Sequence, residues 1–309
     1  LLTESYPGEI FVKQGEPGLA NNPLNITEDP EFQQLNPGIT PINIPGALSD
    51  AASELMAISS DSDVIEALTT YINDDPTARA WLNGTPDQWG MVVNPAYKGI
   101  SLPVNQWPLL STFEPNAFYQ SDLNDCLFND PVPWQPLVAA PLASLEDISQ
   151  GMQYAEPNST IVCDQPNSGE PLGEKLTTDA RQEPGDQFMI GITPLADADR
   201  YLLSPAALQT TSGTFVAPSD ASLAATASLL TPDPTTDTWP IPYGQFAQPA
   251  GAGAYPGTMV VYAAIPTTGL SPTLAQDYAS FLQFAATTGQ TTGVGVGQLP
   301  PGYLPLTQA

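Results

Sequence analysis

An α/β fold is what the sequence predicts, and three observations predict it. Apolar runs such as "LMAIS" (55–59) and "TMVVYAAIP" (258–266) alternate with segments whose apolar residues recur at helical spacing. The 309 residues suit one large or two medium domains, and a hydrophobic content of 41% is enough to bury a sizeable core. Helix punctuation is also explicit, most clearly at residues 271–289.

Taken in order, residues 1–45 are rich in Pro, Gly and Asn, and "DPEFQQLNPGITP" reads as loop and turn. "LMAIS" reads as a short buried strand. It leads through an acidic loop into a helix over 63–73, with Val64, Ile65, Leu68, Tyr71 and Ile72 on its apolar face. "PTARAWL" (76–82) reads as a second helix with Pro76 in its first turn. Residues 84–141 are turn-rich, with short strands and ordered loops around Trp89, Trp107 and Trp134, and 142–155 is helical. The polar, Pro/Gly-rich 156–186 reads as a surface excursion. "QFMIGIT" (187–193) reads as a strand, "LADADRYLL" (195–203) as a helix, and Ser219 as the cap of an Ala/Leu helix. The β-branched 258–266 reads as a buried strand. The last helix has Ser271 as cap, Pro272 at its first position, a face of Leu274, Tyr278, Phe281, Leu282 and Ala285, and Gly289 as its stop. "GQTTGVGVGQLPPG" lies between no strand and helix and reads as a tail loop.

The charge balance narrows the function. There are 33 acids against 6 bases (Lys13, Lys98, Lys175, Arg79, Arg181, Arg200) and no histidine, a formal charge of −27. Nucleic-acid affinity comes mainly from Lys and Arg neutralising phosphates, so nucleic acid is not the expected partner, and an anionic membrane surface is disfavoured for the same reason. No apolar run approaches the ~20 residues a membrane helix needs, so no membrane insertion is expected. The dispersed acids read as a solvated surface. Without histidine there is no His-based triad, no G-x-S-x-G elbow occurs, and acids are too abundant for any carboxylate pair to signal hydrolysis. The expectation is a protein that is not an enzyme and takes no cofactor. The pairs Asp61/Asp63, Asp122/Asp125 and Asp197/Asp199 are possible Ca²⁺ ligands, but none forms an EF-hand, and caps or solvated turns are their ordinary role, so no metal site is assigned. Trp89, Trp107, Trp134, Tyr97 and Phe113 could line a solute cleft, although packing is the commoner role.

Cys126 and Cys163 stand 37 positions apart without a CxxC motif, too few ligands for structural zinc. A disulfide between them is the preferred reading, worth about 3–4 kcal/mol on a chain-entropy estimate, and two free buried thiols are the alternative. A disulfide implies an oxidising, extracytoplasmic location, secreted or at the cell surface. The opening "LLTESYPGEI" has no initiator Met and no signal-peptide h-region, so a mature product or a piece of something longer is expected. The sequons at Asn25, Asn83 and Asn158 allow glycosylation only in a host that performs it.

Four segments, in order, resemble the substrate-binding component of phosphate ABC transporters. "DPEFQQLNPGI" is similar to that family's "W-x-D-P-x-I-x-x-L-N-P-G", and "IGITPLADADRYLL" to its "I-G-Y" strand and following helix. "AALQTTSGTFVAPSDASLAA" is similar to "L-x-N-x-x-G-x-F-V-x-P-T". "YPGTMVVYAAIP…AQDYASFLQFAATTGQ…GQLPPGYLPL" resembles the closing strand, helix and "GYxPLP" tail. The resemblance covers roughly residues 1–72 and 187–309. It implies a periplasmic-binding-protein-like type II fold, with two lobes of mixed sheets flanked by helices. Residues 1–45 would be a crossover segment, 46–235 the second lobe with an insertion at 73–186, and 236–309 the C-terminal part of the first lobe. The family's opening quarter, with its Gly-Ser-Thr-Phe anion loop, has no counterpart here. The first lobe is therefore expected to be incomplete, and to be completed by an upstream segment, a second chain or a self-partner covering the apolar faces of 258–266 and 272–288.

The resemblance also places a candidate ligand loop at Ser59, Ser60, Asp61, Ser62 and Asp63. The family's "R-S-D-G-S-G-T-T" holds phosphate with an Arg, hydroxyls and helix amides. This chain puts Ile58 at the Arg, Asp63 at a Gly and Val64 at a Thr. Helix N-termini attract anions through unsatisfied N–H groups, but Asp63 and Glu66 are spaced as a capping box that would satisfy them internally. A carboxylate ~4 Å from a phosphate charge repels by about 1 kcal/mol in water and about 4 kcal/mol at an effective dielectric of 20. The Arg's bidentate contact is lost as well. Phosphate is therefore not expected to bind through 58–66, though a small solute remains possible. Two functions stand: a solute-binding domain of a larger surface or secreted protein, and a non-transporting structural or interaction module on the same fold.

Overall fold

The computed structural model describes residues 5–7, 17–38, 55–58, 61–105, 113–114, 132–133, 141–156, 160–164, 173–177, 181–182, 184, 189–210, 214–246 and 248–306. It is a mixed α/β chain that divides into two compact units, Leu1–Thr193 and Pro194–Ala309.

The first unit is organised on strand β1 (Leu55–Ile58), whose apolar side chains suit a position between two parallel neighbours. β2 (Phe113–Glu114) and β3 (Val132–Pro133) form a separate antiparallel pair. β4 (Pro141–Leu142) lies on one side of β1, with Ala57 opposite Pro141. After the antiparallel hairpin β5 (Thr160–Asp164) and β6 (Gly173–Thr177), strand β7 (Ile190–Gly191) pairs with the other side of β1, Leu55 opposite Ile190. The hairpin falls where sequence reading expects only a polar surface excursion.

Helix α1 (Pro30–Leu35) is a correction to the loop expected there. Asp29 caps it, its carboxylate accepting from the N–H groups of Glu31 (2.7 Å) and Phe32 (3.3 Å), and Pro30 starts it with a preset φ. Helices α2 (Asp63–Asp74) and α3 (Pro76–Leu82) follow as expected, α3 capped by Asp75. Leu82, Val93 and Tyr97 form one small core, against which Ile72, Trp81, Ile100 and Leu102 pack. Tyr6, Ile26 and Met91 form another, covered by Phe32 and Trp81.

Helix α4 (Leu145–Tyr154) packs on the β1 sheet with Ile148 wholly buried. The approach is close enough that a Cβ on Gly151 would sit 2.6 Å from Met56 Cε. Along its N-terminal half the Ser149 hydroxyl hydrogen-bonds the Thr193 hydroxyl, which also donates to Leu145 O at 3.0 Å.

The second unit begins with α5 (Leu195–Arg200), shorter than the expected 195–203 because Leu202 turns to a φ of +57°. The hairpin β8 (Leu208–Gln209) and β9 (Phe215–Val216) leads into α6 (Asp220–Ala227). Ser219 and Ser222 make a reciprocal capping box at its start, each hydroxyl accepting from the other's N–H. The buried Thr226 hydroxyl donates to Tyr255 O at 3.0 Å, and Leu223, Tyr243, Phe246 and Ala254 are buried in this unit.

The strand expected at 258–266 does not form. Residues 259–266 have no regular structure, and among the described residues their backbone groups have no hydrogen-bond partner. The run is also not buried: Val261 is 75% exposed, and Met259 and Tyr262 are exposed too. A strand is defined by its neighbour, and apolar β-branched composition cannot supply one. The last helix, α7 (Pro272–Ala286), forms as expected, with Ser271 Oγ accepting from Leu274 N–H, yet it buries no residue.

Candidate functional site

Of the candidate loop, Ser59 and Ser60 lie outside the described residues, while Asp61, Ser62 and Asp63 are placed. The expected capping box of Asp63 with Glu66 is corrected: the cap is Ser62. Its backbone is extended (φ −149°, ψ 129°) and its Oγ accepts from Val64 N–H at 3.2 Å. Asp63 is already the first helical residue, so its carboxylate stands beside the helix end rather than across it. Ser62 is itself tied down, donating its N–H to Asn105 O at 2.8 Å and accepting from Glu66 N–H at 3.1 Å. The segment reaching Asn105 is held again about two turns further along the helix, where Val104 N–H donates to the buried Thr69 hydroxyl at 3.0 Å.

The resulting helix end has two N–H groups, those of Val64 and Glu66, used by Ser62, and two exposed acids, Asp63 and Glu66, in its first turn. Acids there complement the helix dipole and act as internal counter-anions, so an added anion meets negative charge. Asp61, also exposed, adds to this field.

A second feature is a cleft of about 240 Å³ lined by Asn21, Asn22, Pro23, Glu28, Asp29, Pro30, Asp87, Trp89 and Met91. Sequence reading named Trp89 alone of these, because the lining joins two stretches about sixty positions apart. The polar groups there serve the chain itself. Asn22 Nδ2 donates to Ser5 O (2.7 Å) and Val92 O (2.8 Å), and its Oδ1 accepts from Val92 N–H. Asp29 accepts from the Tyr6 hydroxyl at 2.7 Å besides capping α1. One Asp87 oxygen accepts from the N–H groups of Trp89 and Met91. Nearby Glu31 is an exposed residue whose carboxyl is partly desolvated; that desolvation, then the charges of Asp29 and Asp87, raise its pKa above the ordinary range.

Other sequence-named residues are dispersed. Tyr97 is buried in the core beside Leu82, while Trp107 and Trp134 lie outside the described residues. Phe113 stands in β2. Cys163 stands in β5, and Cys126, its expected partner, lies outside the described residues. Asp122 and Asp125 are likewise outside them. Among the described residues no group of three or more acids or cysteines could hold a metal ion, and no helix is long and apolar enough to cross a membrane. Compared with known proteins, the chain matches no family model, no curated protein and no solved structure.

Proposed function

We propose that this chain is an extracytoplasmic domain of the solute-binding type, similar to the substrate-binding component of phosphate ABC transporters. It would form part of a larger surface or secreted protein, with the ancestral phosphate loop no longer fitted to phosphate. The reading rests on the sequence resemblance, and the observation that carries its ligand half is the start of α2. Ser62 caps that helix, and Asp63 and Glu66 fill its first turn. A loop with an Arg and free amides would hold an oxyanion; with Ile58 in place of the Arg and acids in the first turn of the helix it repels one. The two-lobe type II arrangement and the Cys126–Cys163 bond belong to the same proposal, as does the absence of catalysis.

The test is a thermal-shift and calorimetric screen of the purified chain against phosphate, sulfate, sugars and Ca²⁺. A ligand well above its dissociation constant must raise the melting temperature. Phosphate is expected to give no shift in the parent and a gain in the double variant Asp61→Ser, Asp63→Gly. Submillimolar phosphate affinity in the parent that Asp63→Gly leaves unimproved would sink the electrostatic account.

A second reading is a non-transporting interaction module on the same fold. It is favoured by a specific observation, the uncovered run 259–286, none of whose residues is buried. A screen in which no solute shifts the melting temperature would favour it.

A further inference from the structure

More than half of the exposed large hydrophobic residues among those described lie after residue 258: Met259, Val261, Tyr262, Leu274, Phe281 and Phe284 among them. Two features set this region apart from scattered surface apolars. Among the described residues, the N–H and C=O groups of 259–266, a row bounded by Pro256 and Pro266, have no protein partners. Such a row on a β-branched, apolar run is a template for pairing with another strand. On α7, Leu274, Tyr278, Phe281 and Ala285 recur at helical spacing, and Phe281 is 60% exposed.

We infer that a second copy of this chain docks here, the 259–266 run pairing antiparallel with its twin about a two-fold axis. Size is the first argument. An interface of standard area takes about 20–30 residues a side, and the unburied run 259–286 is of that length. Self-complementarity is the second. The run needs both donors and acceptors at strand spacing, and an identical run offers both in an isologous contact. Charge is the third. Asp277 is the only charged side chain between residues 239 and 309, in a chain of net −27. A partner recognised by opposite charge finds little to read along this stretch, whereas two copies can meet on it with few like charges in contact, Asp277 and, next to the Trp239 that stacks on Tyr262, Asp233 and Asp237. The other acids still repel at longer range, and salt screens that repulsion. Dimerisation should therefore strengthen as salt is added, opposite to charge-driven binding.

Sedimentation velocity over a wide concentration range, at low and high salt, reads the mass directly. The expected result is a monomer–dimer equilibrium that moves toward dimer with both concentration and salt. Val261→Lys and Phe281→Glu should each weaken it about tenfold or more, with far-UV circular dichroism unchanged. Single cysteines placed at Val261, Ala263 and Ala264 should give, at one position at least, an oxidised dimer that the parent does not form. A monomer under all conditions overturns the inference. So does a dimer that neither charged substitution weakens, or a set of cysteines that never cross-links.

Discussion

Helices α2 and α7 start alike and end in opposite environments. Each opens on a serine whose hydroxyl accepts from an N–H in the first turn. α2 then buries Ile65 and Thr69 and is tied through Thr69 to Val104, whereas α7, the longer of the two, buries nothing. Cap, proline and propensity thus specify that a helix forms and where it starts, but not what it packs on. Burial is the property of a pair of surfaces, and among the described residues none packs on α7 closely enough to bury any of its side chains.

The sharpest way to break this contrast is truncation inside each region. Ile148→Ala removes a wholly buried side chain between α4 and β1, and should cost about 3 kcal/mol within the 2–5 range for such changes. Phe281→Ala, on the uncovered helix, should stay within about 0.5 kcal/mol under monomeric conditions. Urea unfolding of the two variants checks both, and a large loss at Phe281 would mean that α7 is covered in solution.

Asn22→Leu probes whether buried polar ties hold the first unit. It leaves Val92 N–H and the carbonyls of Ser5 and Val92 without their side-chain partner, and about 1–3 kcal/mol should be lost. The two caps should weigh alike despite their surroundings. Ser62→Ala and Ser271→Ala are each expected to cost about 1 kcal/mol, read from unfolding for the first and from helical signal on heating for the second.

The smallest effect is at Glu31. Its folded pKa is raised, so its ionised form is disfavoured in the fold. That destabilisation is absent below the unfolded pKa and complete once pH rises above the folded one. Glu31→Gln should therefore raise the melting temperature slightly at neutral pH, and the gain should disappear as pH falls through the carboxylate range.

The sequence was most legible where structure is local. The helix expected over 63–73 runs Asp63–Asp74, "PTARAWL" is a helix over its whole length, and Ser219 and Ser271 are caps. It misled at 29–35, where Asp29 and Pro30 are a good cap and first residue but the neighbouring Asn, Pro and Gly made the stretch look like a turn. It misled more at 258–266, where composition described a strand and no described residue pairs with it. In the candidate loop the acids were legible. Which residue caps was not, because one extended φ/ψ pair at Ser62 decides it. The cleft joining residues 21–30 to 87–91 had no sequence signal, since its walls are brought together by long-range contacts, the Asn22–Val92 hydrogen bonds and the packing of Ile26 with Met91.

The hydrogen bonds of Thr193 have a mechanical consequence. This residue closes the first unit, its hydroxyl bonded to Ser149 and close to Leu145 O, and its neighbour Ile192 donating to Met56 O. If the chain is pulled from its C-terminal side, the load enters the first unit here. It is then shared between a helix and a parallel strand rather than concentrated on one bond at a time. Several bonds must rupture together before β7 can peel away.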